Sequence, residues 1–178
     1  MGANTRIFAG LVAILVTLVA ATAGSADSRG TMAPATQLQT ALLDQVNALR
    51  VGRGLSRLRL SSALTAAANA HSAEMARVGY FSHNSANGAS FSSRIGQFYP
   101  LRGFHSWTVG ENLVWGAPDI GALRAFKLWL GSPPHRANLL APRWREIGIS
   151  AMHSTKAPGL YGGRPATIVT ADFGARSR

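Results

Sequence analysis

The chain has no cysteine, so no disulfide braces it, no thiolate ligates a metal and no thiol serves as a nucleophile. Acidic residues are scarce: seven Asp and Glu stand against 18 Lys and Arg. Lysine is nearly absent too, with only Lys127 and Lys156, so the cationic surface is an arginine surface. Two further absences bear on chemistry. No HExxH sets two imidazoles on one helix face, and no GxSxG presents a serine on a strand-to-helix elbow. No internal repeat or low-complexity tract is visible, and 178 residues suit one ordinary domain.

The arginines are scattered (Arg50, Arg57, Arg77, Arg94, Arg124, Arg145 and others), not stacked in one run. A basic surface favours anionic partners such as acidic lipid head groups or another anionic cell-envelope component. A coding bias toward arginine gives the same balance with no partner at all. Nucleic acid is disfavoured, because no binding motif is present and aromatics do not alternate with the basic residues.

The N-terminus carries Arg6, then a nearly unbroken apolar run from Ile7 to Ala21, then the small residues ATAGSADS. That is the pattern of a secretory signal peptide over 1–26, with cleavage after Ala26, or after Ala23 as the alternative. The run is short for a membrane span of about twenty residues, so cleavage would leave no transmembrane segment. An uncleaved anchor is the other reading. In either case the domain lies outside the cytoplasm, secreted or held in the cell envelope. Residues 27–35 read as a flexible tether and 36–176 as the domain.

Within the domain, Leu38, Leu42, Leu43, Val46 and Leu49 recur at helical spacing after Thr36, a potential N-cap, and Gly52 and Gly54 end that helix. A second helix follows a cap at Ser61 or Ser62, with Leu64, Ala68, His71, Met75 and Val78 as its apolar stripe and Gly79 as its close. His71 reads as a hydrogen-bonded core residue rather than a ligand. Phe91 to Phe98 predicts a short helix. Asp119 reads as the N-cap of a helix through Ile120, Leu123, Phe126, Trp129 and Leu130. That helix ends near Gly131, and Ser132 caps a new turn with Pro133 at its first position. Arg145 to Ala151 alternates as a strand, Pro158 to Pro165 reads as a hairpin connection, and Ala166 to Phe173 is a β-branched strand. Helices first and strands last predict an α+β fold with an antiparallel sheet.

Three polar residues stand in apolar settings: His83 in GYFSHNS, Glu111 in VGENLVWG and His135 in WLGSPPHRANLL. An ionised carboxylate buried without a partner is costly, so Glu111 is exposed or paired with a cation, a metal or a histidine. The expectation is that His83, Glu111 and His135 meet in one cleft.

Taken in order, VNALRVGRGLSRL (46–58), AAANAHSAEMARVGYFSH (66–83), GENLVWG (110–116), WLGSPPHRANLL (129–140), REIGISA (145–151) and TADFG (170–174) resemble the bacterial branch of the CAP superfamily, the SCP domains. The resemblance implies an α-β-α sandwich with a small antiparallel sheet between helical layers and a central cleft. By position it carries over His83, Glu111 as the glutamate of the GEN motif, and His135 of the SPxH turn. Some members hold a divalent metal there. The second glutamate and the GHFTQ-like histidine of the eukaryotic pattern are missing from this chain.

Two imidazoles and a carboxylate are a plausible set for zinc or another divalent metal. A metal-free network, with Glu111 accepting from both histidines, explains the same residues. Catalysis would need a separate general base, for which Asp172 and Glu146 are the remaining candidates, so the chain leans away from being an enzyme. The favoured function is a secreted, non-catalytic binding module for a hydrophobic ligand, a lipid or sterol in the light of the resemblance, or for an envelope partner. Phe81, Phe91, Phe98, Trp107 and Trp115 would line a groove or sit in the core. The alternatives are a metal-dependent hydrolase of an envelope or extracellular substrate and a structural envelope protein.

Overall fold

The computed structural model describes residues 34–178, so the expected signal peptide and cleavage site and most of the expected tether lie outside the described residues. Among the described residues five α-helices and four strands follow in the order α1 (Pro34–Val51), β1 (Arg59–Leu60), α2 (Ser62–Val78), α3 (Phe91–Phe98), β2 (Ser106–Gly116), α4 (Ala122–Gly131), α5 (Pro133–Leu139), β3 (Glu146–Ala157) and β4 (Arg164–Ser177), with a 3-10 turn at Gly159–Tyr161 between the last two. The sheet order is β1-β3-β4-β2. β4 pairs antiparallel with both β3 and β2, while the two-residue β1 adds to β3 in parallel, so one edge departs from the antiparallel expectation.

Period-2 patterning divides the sheet between two helical layers. Along β4, Val169, Ala171 and Phe173 join a core with Leu42 and Val46 of α1 and Ala125 and Trp129 of α4. Ile147, Ile149 and Ala151 of β3 point into that same core, as their alternation predicts. On the other face, Ala166 and Ile168 pack with Met75 and Ala76 of α2, and Ile95 of α3 packs with Leu64 and Ala67. The result is an α-β-α sandwich, with α2 and α3 on one face and α1, α4 and α5 on the other.

α2 approaches the sheet so closely at Gly148 that a Cβ there would lie 2.1 Å from the Leu64 carbonyl carbon and the Thr65 nitrogen. Arg50, fully buried near the end of α1, joins two distant segments. Its Nε donates to Ser56 O at 2.9 Å, and its Nη1 donates to Leu139 O at 2.8 Å and Ala141 O at 3.1 Å.

Several boundaries differ from those read in the sequence. α1 begins at Pro34, ahead of Thr36. Ser61 is the cap of α2, accepting from Leu64 N, but Val78 leaves the apolar stripe and is exposed as the helix ends at left-handed Gly79. α4 is capped by the extended backbone of Gly121, not by Asp119, since the chain first places Ile120 in the core. Ser132 does start α5, but its hydroxyl makes no capping bond; its carbonyl accepts from Arg136 N at 2.9 Å instead. Ser106–Gly116 forms an 11-residue strand that the sequence pattern does not mark, because Gly110, Glu111 and Asn112 interrupt its centre.

Candidate functional site

β2 is the sheet edge opposite β1, and the site straddles it. Successive strand residues face opposite layers. Glu111 therefore points to the α2–α3 side, whereas Asn112 points to the α5 side. His83 reaches the strand from the loop after α2, and His135 from α5. His83, Glu111, Asn112, Pro134, His135 and Asn138 line one open cleft of about 460 Å³.

Glu111 has no exposed side-chain surface, and both of its oxygens are engaged. His83 Nδ1 lies 2.7 Å from Oε1, with the imidazole half exposed. The Arg94 guanidinium, itself nearly buried, holds Oε2. Arg94 also donates to His83 O and Ser85 Oγ, both at 3.1 Å, so one side chain of α3 fixes the carboxylate and the loop carrying its histidine. Nothing in the sequence singled out Arg94 among sixteen arginines. The one available signal was the need for a cation beside Glu111.

His135 makes no hydrogen bond to Glu111, in contrast to the network in which both histidines donate to it. It is held through its backbone: Asn112 Nδ2 donates to His135 O at 3.1 Å. Asn138 Nδ2 donates in turn to Glu111 O at 3.2 Å and Asn112 Oδ1 at 3.1 Å. Gly110 is required beside this lattice, because a Cβ there would come within 2.8 Å of Asn138 Oδ1 and the Trp144 ring. Burial, and then the nearby charge of His83, hold the His135 imidazole below its usual pKa, which favours its neutral form.

The other candidates fall elsewhere. Asp172 is cross-strand from Glu111 and fully buried, but it does not line the cleft. Burial, and then the charge of Glu111, push its carboxyl well above the ordinary range. Glu146 sits beside arginines at the far end of the sheet. His71 is buried, with its Nε2 2.8 Å from Ser82 O, as a core histidine should be. Phe81 and Trp115 pack on the Met75–Tyr161 cluster, and Phe91 and Trp107 on the Ile95–Tyr99 cluster; none of these, nor Phe98, lines the cleft.

The residues present fit a divalent metal poorly. Among the described residues, no group of three or more His, Asp or Glu is spaced to hold a metal ion. A cation on Glu111 would also have to displace a guanidinium from a carboxylate with no access to solvent.

The fold is shared with solved proteins, one of them described as containing an SCP domain. An extracellular SCP-domain protein of Bacillus anthracis superposes with a TM-score of 0.61 at 23% identity, over 84% of this chain and 45% of that one. An outer surface protein of Borrelia burgdorferi gives 0.67 at 21% identity, over 79% and 94%. At these identities the likeness is one of fold. The chain belongs to the cysteine-rich secretory protein (CAP) family, whose profile matches residues 43–173. The uncharacterized Bacillus subtilis protein YkwD is 30% identical over 115 residues, 64% of this chain and 42% of its own length. The uncharacterized B. subtilis membrane protein YlbC is 31% identical over 108 residues, 61% of this chain and 30% of its own length. The chain thus spans less than half the length of either relative.

Proposed function

We propose that this CAP domain is an exported, non-catalytic binding module that receives its ligand in the cleft across β2. The observation that carries the reading is the state of Glu111. Both oxygens of this carboxylate are engaged, by Arg94 and His83, so it serves as a structural pin and not as a free base. Among the described residues no hydroxyl or thiol side chain lines the cleft to act as a nucleophile. What the cleft offers is one half-exposed imidazole, a second imidazole whose pKa is held down by burial, two carboxamides, the guanidinium of Arg143 and the apolar surfaces of Pro134 and Ala137. A few fixed polar groups in a concave, partly apolar site of this size suit recognition of a small molecule. Placement outside the cytoplasm accords with the family's name and with the extracellular and outer-surface proteins that share the fold.

A lipid or sterol is the ligand class proposed first. A hollow of about 530 Å³ near the starts of α1 and α4, lined by Leu38, Ile120, Ala122 and Ala151, is predominantly apolar and supports it. The direct test is mass spectrometry of an organic extract of the purified protein, followed by NMR titration with a fatty acid and with a sterol. Saturable shifts at cleft residues support the reading, and shifts confined to the hollow keep the ligand class but overturn the cleft as its seat. Absence of both carried and bound lipid rejects the ligand class, and catalytic turnover abolished by His135→Ala rejects the module itself.

Zinc or another divalent metal at His83, Glu111 and His135, serving a hydrolase, is the second reading. Two imidazoles lining one cleft favour it, and the engagement of Glu111 by Arg94 counts against it. Calorimetric titration with zinc separates the two: the binding module gives no stoichiometric uptake, and the metal reading requires uptake that His135→Ala abolishes.

A further inference from the structure

At the end of the sheet away from α4, all four strands present a terminus. Arg57 comes from the approach to β1, Arg59 from β1 itself, Arg145 from the residue before β3, Arg176 from the end of β4 and Arg178 from the residue after it. With Phe104 from the approach to β2 and the single carboxylate of Glu146, they line a concavity of about 410 Å³. The gathering follows from topology. Parallel pairing sets Arg59 against Glu146, and the antiparallel pairings set Glu146 against Gly174 and Trp107 against Arg176.

The floor of this concavity is built. The Arg176 guanidinium lies 3.7 Å over the Tyr99 ring and 4.4 Å over the Phe104 ring, and its Nη1 donates to Pro100 O at 3.3 Å. Tyr99 donates its hydroxyl to Glu146, which stands 3.9 Å from both Arg59 and Arg176. Among the described residues one side-chain carboxylate therefore lines the concavity with five guanidinium groups, and none is within ion-pairing distance of Arg57, Arg145 or Arg178. Arg176 Nε is buried and has no hydrogen-bond partner among the described residues.

We infer that this concavity is an anion site for a phosphoryl group, separate from the cleft at β2 and independent of how that cleft is read. The guanidinium fork matches a phosphoryl group in two-point hydrogen bonding, and several forks around one hollow suit a tetrahedral oxyanion with three acceptor oxygens better than a second planar carboxylate. Arg57, Arg59, Arg145 and Arg178 supply charge and donors. Arg176, stacked and already oriented, supplies the fixed point. The phosphoryl group can belong to a soluble phosphate ester or to a lipid head group; the chemistry recognised is the same.

The test is NMR titration of the full domain with inorganic pyrophosphate at about 0.15 M salt, where diffuse surface attraction is screened. Saturable shifts are expected at residues 57–59, 104, 145 and 176–178. Arg57→Ala with Arg59→Ala, both exposed positions, should weaken binding about tenfold or more with an unchanged near-UV spectrum. Arg124→Ala with Lys127→Ala on α4, equal in charge removed, should leave it unchanged. Sedimentation with phosphatidylglycerol vesicles, against phosphatidylcholine, then distinguishes the sources. Vesicle binding lost in the Arg57/Arg59 variant assigns a head group, and pyrophosphate binding without vesicle binding assigns a soluble ester. Shifts spread over the whole basic surface, no saturation, or equal loss in the α4 control would overturn the site.

Discussion

Glu111 and Asp172 face each other in register across the β2–β4 pair, two carboxyl groups on neighbouring strands under the same helical layer. Arg94 is a cation near both, and of the two carboxyl groups it bonds that of Glu111. Neither Asp172 oxygen has a hydrogen-bond partner, and the residue is wholly buried. Burial, and then the charge of Glu111, push the Asp172 carboxyl well above the ordinary carboxylate range, which favours its protonated form.

The first prediction follows from that proton. Burial and Glu111 raise the Asp172 carboxyl above its ordinary value of 3.8, so the folded chain binds this proton more tightly than the unfolded chain. The stability it contributes is complete below that ordinary value and is lost as pH rises through the folded-state pKa. Asp172→Asn, which keeps the shape and removes the titration, should raise Tm at pH 7 by a few degrees and leave Tm in strong acid little changed. Calorimetric scans across pH measure it; a lower Tm at pH 7 would refute the protonated form.

His71 gives the opposite sign. Burial is the largest influence on it, and Glu111, Arg94 and Glu74 act on its charge in turn; the net pKa lies below 6.5. Its contribution is present above pH 6.5 and is lost as pH falls through the folded value. His71→Gln retains a donor for Ser82 O, so it should reduce the loss of stability in mild acid. Chemical denaturation at two pH values on either side of 6.5 checks this, and an unchanged acid loss would assign that limb to another group.

Removal of Arg94 tests the pin. Arg94→Met leaves the Glu111 carboxylate buried without its main cation and should cost about 3–5 kcal/mol, as when one member of a buried pair is removed. Adding Glu111→Gln should recover part of that loss, and hydrogen exchange should accelerate at 83–85, where Arg94 also bonds. Additive losses in the double variant would deny the coupling.

Gly148 tests the spacing between helix and sheet. Any β-carbon there meets the Leu64–Thr65 backbone, which no rotamer change relieves. Gly148→Ala should cost more than about 4 kcal/mol or abolish folding. Gly131→Ala, at a position with nothing near its missing β-carbon, is the control and should be nearly neutral. Denaturant melts of the pair decide it.

Much of the architecture was legible because its cores are made of regular repeats. The helical stripe of α1, the glycine closing α2 and the alternation of Ile147, Ile149 and Ala151 each name their own partner face. β2 was not legible, since its central Gly-Glu-Asn serves the cleft and spoils the strand pattern. His83, Glu111 and His135 do line one cleft, but the sequence could not say which groups bond. Arg94 lies seventeen residues from Glu111 and looks like any other arginine, and Asp172 becomes its neighbour only through strand register. Long-range pairing is the information that a single sequence withholds.

Arg50 bears on how the molecule would respond to its surroundings. Its hydrogen bonds run to the carbonyls of Ser56, Leu139 and Ala141, so peptide dipoles, and no carboxylate, answer its charge. A joint of that kind has no counter-ion for salt to replace and no acid partner to titrate. The seam between α1 and the segment that follows His135 should therefore hold its geometry in brine or in acid, conditions under which the arginine-rich exterior changes its behaviour completely.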